Sequence, residues 1–220
     1  ISKFKKIIQF CKKIKIPFLF TPVSHDWLDF IKKNSKVIKI ASGDLNFDYL
    51  LKKVISKNFK VILSTGISDL DEINKAINII KKKYKSSIYN KLVLLHCISK
   101  YPTKEEEANI NAVKFLKDKF KLNVGYSNHV IGINACLAAI CLGAKVIEFH
   151  FTDNKKRKFR DHQLSLNKAD VKKLILLGNL FNKLIGNYNK KLKPNIKINK
   201  RIFSKGIIFS NNLKKNDKIK

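Results

Sequence analysis

The sequence contains no methionine, one tryptophan, four prolines and eight glycines in 220 residues. It opens at Ile1 directly in an amphipathic run, with no initiator Met, so the start is expected to lie upstream and the chain to be a fragment. Arginine is confined to Arg157, Arg160 and Arg201, and acidic residues number 16 against 47 Lys and Arg, for a net charge of +31. Such a charge raises the question of nucleic acid or an acidic membrane surface. The scarcity of Arg, the preferred reader of phosphates and base edges, argues against both. So does the even spread of lysine along the chain. Lys, Asn and Ile are all abundant and share AT-rich codons, which accounts for the charge without a polyanionic partner. A broad positive field still attracts an anionic substrate. The four cysteines, Cys11, Cys97, Cys136 and Cys141, form no CxxC pair and no framework. They read as reduced thiols of a cytoplasmic protein. Long hydrophobic runs are missing too. The longest, Ile133–Ala144, is too short to span a bilayer and has no signal-peptide flanks.

Alternating short and long patterns fill the chain. Apolar or β-branched runs at Pro17–Phe20, Lys36–Ala41, Lys60–Ser64, Leu92–His96, Asn123–Ser127 and Lys145–Phe151 read as strands. Between them, Ser2–Ile14, Asp26–Lys33, Asp48–Lys57, Asp69–Lys83, Asn109–Phe120, Ile133–Leu142 and Lys168–Leu184 read as helices. Six strands alternating with helices imply an α/β fold with parallel strands. No Gly-rich dinucleotide turn follows an early strand, which disfavours a doubly wound sheet. Polar residues instead gather at one end of nearly every strand, as a barrel active site requires. Residues 1–186 are therefore read as a partial barrel, 187–200 as a polar, Pro-containing linker, and 201–220 as the start of a small β-rich unit.

Several strand ends carry chemistry. Val37, Lys39 and Ala41 share one face of their strand, and Ile38 and Ile40 the other. If the two Ile lie under helices, Lys39 points inward and is a candidate phosphate or carboxylate ligand; the opposite orientation puts Lys39 on the surface. Ser42-Gly43 and Ser64-Thr65-Gly66 are strand-end turns with small hydroxyls, suited to an anion, although Ser-Thr-Gly is also an ordinary turn. His96 is either a functional group or a satisfied core histidine. His129 and His150 end neighbouring strands and can share a divalent ion, or are two structural histidines. Glu148 has the parity of His150, so it can pair with Lys39 across a barrel or orient a ligand. The basic run Lys155–Arg160 before Asp161-His162 is either a solvated loop or a lid.

The ordered set Lys39-Ile40-Ala41-Ser42-Gly43-Asp44, Ile62–Gly66, Leu95-His96-Cys97 with Tyr101-Pro102-Thr103, Gly125–His129, Val146–Thr152 and Asp161-His162 resembles the sialic acid synthase family. That family includes N-acetylneuraminate, legionaminate and pseudaminate synthases. The resemblance implies a (β/α)8 TIM barrel, here lacking its first two strands, followed by the truncated start of a small antifreeze-like (SAF) domain. It implies condensation of phosphoenolpyruvate with an N-acetylated aldose such as N-acetylmannosamine, releasing phosphate. Thr21, Lys39, Ser42, Ser64, Ser99 and Ser127 then correspond to phosphoenolpyruvate-binding positions, and Asp44 and Tyr101 to sugar-binding ones. His129 and His150 correspond to ligands of Mn2+ or Mg2+, and Lys39 and Glu148 are the candidate catalytic residues. A domain-swapped homodimer is implied for the full-length protein, with no nucleic-acid or membrane partner, and the fragment alone is expected to be inactive. Two departures stand out. Asn128 replaces the family's Asp before the first metal His, which is expected to remove a negative charge near the metal. Phe159-Arg160 replaces a Gly and a small residue or Pro before Asp161, which is expected to redirect that loop. The alternatives are another phosphoenolpyruvate-dependent ulosonate synthase, a basic nucleic-acid-binding protein, or an inactive homologue.

Overall fold

In a computed structural model, the described residues are 2–187, 189–206, 212, 214–216 and 218. A compact unit ends at Ile185 and a second begins at Gly186. The first contains strands β1 (Val37–Ile40), β2 (Lys60–Ser64), β3 (Leu92–His96), β4 (Asn123–Asn128) and β5 (Ile147–Phe149). It also contains helices α1 (Ser2–Lys13), α2 (Leu28–Asn34), α3 (Asp48–Ser56), α4 (Leu70–Tyr84), α5 (Ile88–Lys91), α6 (Asn111–Phe120), α7 (Asn134–Cys141) and α8 (Lys168–Ile185). All strand pairs are parallel, and spatial order equals chain order, β1-β2-β3-β4-β5. Parallel neighbours need crossover connections, which the helices supply. Among the described residues no helix is long and apolar enough to cross a membrane.

The alternation in β1 decides which way its side chains face. Ile38 and Ile40 are fully buried and belong to the main apolar cluster, with Leu50, Leu51 and Val54 of α3 and Val61 and Leu63 of β2. Lys39 is thereby sent to the opposite face. Helix ends follow ordinary capping chemistry. Asp69 and Glu72 form a reciprocal capping box at the start of α4, and Lys81, Lys82 and Lys83 sit in its last turn, where the dipole favours cations. Tyr84 at the end of α4 donates to the Phe59 carbonyl at 2.6 Å, tying the helix to the turn before β2.

Two expectations change. The run Pro17–Phe20 is not a strand: only Phe20 bridges to Ile38, and Lys39 N donates to the Phe20 carbonyl at 2.9 Å. Pro17 opens the run and Pro22 lies two residues past its end, and neither has an N–H to give to a ladder. The sheet therefore has five strands among the described residues rather than six. The stretch read as a linker and the start of a β-rich unit carries helix α9 (Lys197–Phe203). Positions 207–211, 213, 217, 219 and 220 of that expected β-rich unit lie outside the described residues.

Gly125 in β4 illustrates how tightly the inner face is packed. A Cβ there would lie 2.6 Å from Leu95 Cδ2 and closer still to the Val146 carbonyl oxygen. The backbone on one side cannot yield as a flexible side chain can, so Gly125→Ala is expected to destabilise the first unit by about 1–3 kcal/mol. Urea denaturation of the two proteins measures the difference.

Candidate functional site

The parallel register carries one parity across the sheet. Lys39 is level with Ile62, Ser64 with Leu95, Leu95 with Gly125, and Ser127 with Glu148. These residues share the inner face, and the strands' C-terminal ends lie together at one edge. Lys39 Nζ lies 3.4 Å from Glu148 Oε1, although β1 and β5 are the outermost strands of the sheet. In a flat sheet four strand spacings would separate those backbones by about 19 Å, beyond the joint reach of the two side chains. The contact requires a sheet curled into part of a barrel, with Lys39 and Glu148 meeting inside it. The Lys39 side chain is 15% exposed, so its ammonium needs a partner, and Glu148 supplies one. The same Oε1 accepts a 2.7 Å hydrogen bond from Ser127 Oγ.

Beside this pair, hydroxyls converge on one turn. Ser42 Oγ accepts from Gly66 N at 3.0 Å and lies 3.3 Å from Cys97 Sγ. A Cβ on Gly66 would lie 2.5 Å from Ser99 Oγ, 2.7 Å from Cys97 Sγ and 3.0 Å from Ser42 Oγ. Glycine is needed there for close approach. Ser42 accepts from the backbone, and its own O–H can donate toward Cys97 Sγ. Ser64 is 2% exposed, and its buried Oγ has no hydrogen-bond partner among the described residues. A buried hydroxyl without a partner is costly unless a ligand provides one. Cys97, by its spacing in the sequence only a reduced thiol, has a further place here. It is buried, which pushes its thiol up in pKa, but it also lies in the middle of this cluster. Its inner-face parity with Leu95 is the signal that points there.

A third group stands at the ends of β4 and β5. The His129 and His150 rings are 5.4 Å apart between centroids, and Tyr101 lies 4.1 Å from His129 and 5.7 Å from His150. His129 Nδ1 is 2.6 Å from the Ile98 carbonyl oxygen, and His150 Nδ1 is 3.6 Å from Asp161 Oδ2. Burial holds His129 below its ordinary pKa, and neighbouring His150 adds to that shift. The ring is thus kept neutral, as a metal ligand must be. Burial also pushes the Tyr101 phenol up. Among the described residues no cluster of three or more His, Cys, Asp or Glu has the arrangement of a metal site. Two neighbouring imidazoles, each with an oxygen acceptor facing Nδ1, do fit an open divalent site, in which water and substrate would supply the other ligands.

The remaining sequence-derived residues fall into place less uniformly. Asp44 closes the 3-10 turn Ser42–Asp44 after β1, beside Ser42. Thr21 follows the bridged Phe20, level with Lys39, and lines a cavity of about 170 Å3 with Phe4, Phe20 and Trp27. His96 is a satisfied core histidine. It faces outward, stacks on Tyr126, and its Nε2 meets the Ala108 carbonyl oxygen at 2.9 Å. Asn128 is buried on that same outward side. Its amide donates to the Val130 and Gly132 carbonyls at 2.8 and 3.2 Å, and its Oδ1 accepts from Val130 N and from the Tyr126 hydroxyl, each at 3.2 Å. It caps the turn after β4, so the charge expected to be lost beside the imidazoles does not belong to their face. Arg160 takes φ 50°, the left-handed conformation that glycine adopts freely. With Arg160 so placed, Asp161 still reaches His150.

A family model described as the NeuB family matches residues 1–190. An N,N'-diacetyllegionaminic acid synthase of Campylobacter jejuni is 38% identical over 214 residues, covering 97% of this chain and 64% of that protein. An uncharacterized protein of Methanocaldococcus jannaschii is 41% identical over 190 residues, covering 86% of this chain and 55% of that protein. The chain thus spans 55–64% of the length of these two relatives. A crystal structure of N-acetylneuraminic acid synthetase from Leptospira borgpetersenii, in complex with citrate, superposes with a TM-score of 0.83 at 30% identity. It covers 90% of this chain and 69% of that one.

Two measurements probe these placements. Arg160→Gly relieves the left-handed conformation and is expected to stabilise the fold by about 1 kcal/mol, read as a higher unfolding midpoint. Burial lowers the His96 pKa, so the folded chain resists a proton that the unfolded chain accepts. His96 therefore contributes stability that is present above about pH 6.5 and is lost as pH falls below that value toward the lowered folded-state pKa. His96→Gln is expected to remove that part of the acid-side slope when denaturation midpoints are followed from pH 8 to pH 5.

Proposed function

The chain belongs to the NeuB family, and from that premise we propose that the full-length protein condenses phosphoenolpyruvate with an N-acetylated aldose of the N-acetylmannosamine type. The product is a sialic-acid-type nonulosonate, and phosphate is released. The observation that carries this reading is the convergence of Lys39, Glu148 and Ser127 with Ser42, Ser64 and Ser99 on one face of a curled sheet, beside the Tyr101–His129–His150 group.

Phosphoenolpyruvate is a compact polyanion. Lys39 and the hydroxyls of Ser42, Ser64, Ser99 and Ser127 supply charge-assisted and neutral donors for its phosphate and carboxylate, with Thr21 at the level of Lys39. Glu148 holds Lys39 and Ser127 toward the interior until an anion competes for them. Lys39 and Glu148 are accordingly the catalytic pair: Lys39 offsets the charge on the departing phosphate, and Glu148 orients it. His129 and His150 would hold the divalent ion, Mn2+ or Mg2+, which when bound polarises the aldehyde oxygen. Asp44, in the turn with Ser42, and Tyr101, against His129, would contact the sugar. C3 of phosphoenolpyruvate attacks the aldehyde carbon, water adds at C2, and phosphate leaves from the resulting tetrahedral centre. The same reading assigns 201–220 to the start of an antifreeze-like domain, and the full-length protein to a domain-swapped homodimer in the cytoplasm.

Phosphate release by the full-length protein, followed with phosphoenolpyruvate and a panel of mono- and di-N-acetylated aldoses, tests the reaction. Release that requires both substrates and a divalent ion supports it; release with only non-acetylated aldoses points to another ulosonate synthase. Replacing His129 and His150 together by Ala is expected to abolish Mn2+ binding and lower turnover at least 100-fold. Unchanged binding would remove the metal assignment.

A further inference from the structure

A neutral imidazole has one N–H and one lone pair, and the group bonded behind it decides which nitrogen keeps the proton. A carbonyl oxygen only accepts, so the 2.6 Å contact with Ile98 puts the His129 proton on Nδ1 and leaves Nε2 bare. Behind His150 stands a carboxylate instead, Asp161 Oδ2, 3.6 Å from Nδ1. That separation is within electrostatic reach though longer than a formed hydrogen bond.

The loop presenting Asp161 is tied down on both sides. The Asp161 carbonyl accepts from Ser165 Oγ at 2.7 Å and from Ser165 N at 3.1 Å. The next residue, His162, meets Thr152 Oγ1 at 2.7 Å through Nδ1, and Thr152 is 3% exposed. Leu166 N donates to the His150 carbonyl at 2.7 Å, and Thr152 N donates to the Leu166 carbonyl at 3.0 Å. The loop is thus fastened to the residues around His150 itself. A loose solvated loop would not need these ties.

We propose that Asp161 is the positioning residue of His150, holding its proton on Nδ1 and turning Nε2 toward His129. This extends the metal reading of the histidine pair and rests on it for its purpose, though not for its geometry. Asp161 acts through the imidazole and is not itself counted among the metal ligands.

The test has two arms, both on the full-length protein. In the metal-free state at pH 8, long-range 1H–15N correlation spectra of 15N-labelled histidines report each tautomer. Both His129 and His150 are expected as the Nδ1–H form. Asp161→Ala should move His150 toward the Nε2–H form, Asp161→Glu should restore it in part, and His129 should stay unchanged as an internal sign that the fold is intact. Asp153→Ala, which removes an exposed partner of Arg157, should change neither ring. In the second arm, calorimetry should show Mn2+ affinity reduced about 10–100-fold by Asp161→Ala. An unaltered His150 tautomer in Asp161→Ala overturns the positioning role whatever the metal affinity. An unmutated protein that shows the stated tautomers but binds no Mn2+ supports the positioning role and instead overturns the metal reading.

Discussion

Parallel, in-register pairing is the constraint on which everything functional depends. Once β1 to β5 run the same way in chain order, their C-terminal ends share one edge, and residues of one parity share one face. The site is then assembled from strand ends without any long excursion of the chain. Curvature completes it. Only a curled sheet lets Lys39 on the first strand touch Glu148 on the last. The ion pair is both a consequence of the barrel-like curl and a brace across it. Removing Glu148 would leave the largely enclosed Lys39 ammonium uncompensated.

The site has three groups with different electrostatic characters. The Lys39–Glu148–Ser127 bridge supplies the charge. The Ser42–Gly66–Cys97–Ser99 cluster is compact and neutral, held by close approach around a glycine. The Tyr101–His129–His150 rings form an aromatic wall in which His129 is bonded through Nδ1 to the Ile98 carbonyl and His150 Nδ1 faces Asp161 at 3.6 Å. An anion, a hydroxylated sugar and a cation make different demands, and the three groups answer them separately. The groups share strands: Ser127 and Glu148 lie on β4 and β5, whose ends carry His129 and His150, and Lys39 lies on β1, whose end carries Ser42.

Much of this was legible in the residues because alternation is a strong signal where it exists. Ile38 and Ile40 flank Lys39, so the face of Lys39 follows from which side the helices cover. Glu148 and His150 share parity, and the structure selects the cross-sheet pairing with Lys39 from the two roles open to Glu148. Legibility fails where alternation fails. Leu92-Val93-Leu94-Leu95 is apolar on both faces, as buried parallel strands are, so the pattern leaves the direction of His96 open. Pro17–Phe20 is apolar enough for a strand, yet with Pro17 at its start and Pro22 just past its end it is limited to a bridge. Asn128 is read as a neighbour of a metal because of its place in the chain. Its actual partners are the Val130 and Gly132 carbonyls, which depend on the turn that follows and cannot be inferred from composition.

The order of the strands also bears on how the chain reaches this arrangement. Because each strand pairs with the strands next to it in the chain, most of the sheet forms between segments separated by a single crossover. Loop-closure entropy is met in small instalments rather than all at once. Assembly can therefore proceed one strand–helix unit at a time. The Lys39–Glu148 contact is the exception, joining residues more than a hundred positions apart. It is available only after all five strands are in place, so it acts as a late lock on the curl rather than as a guide to it.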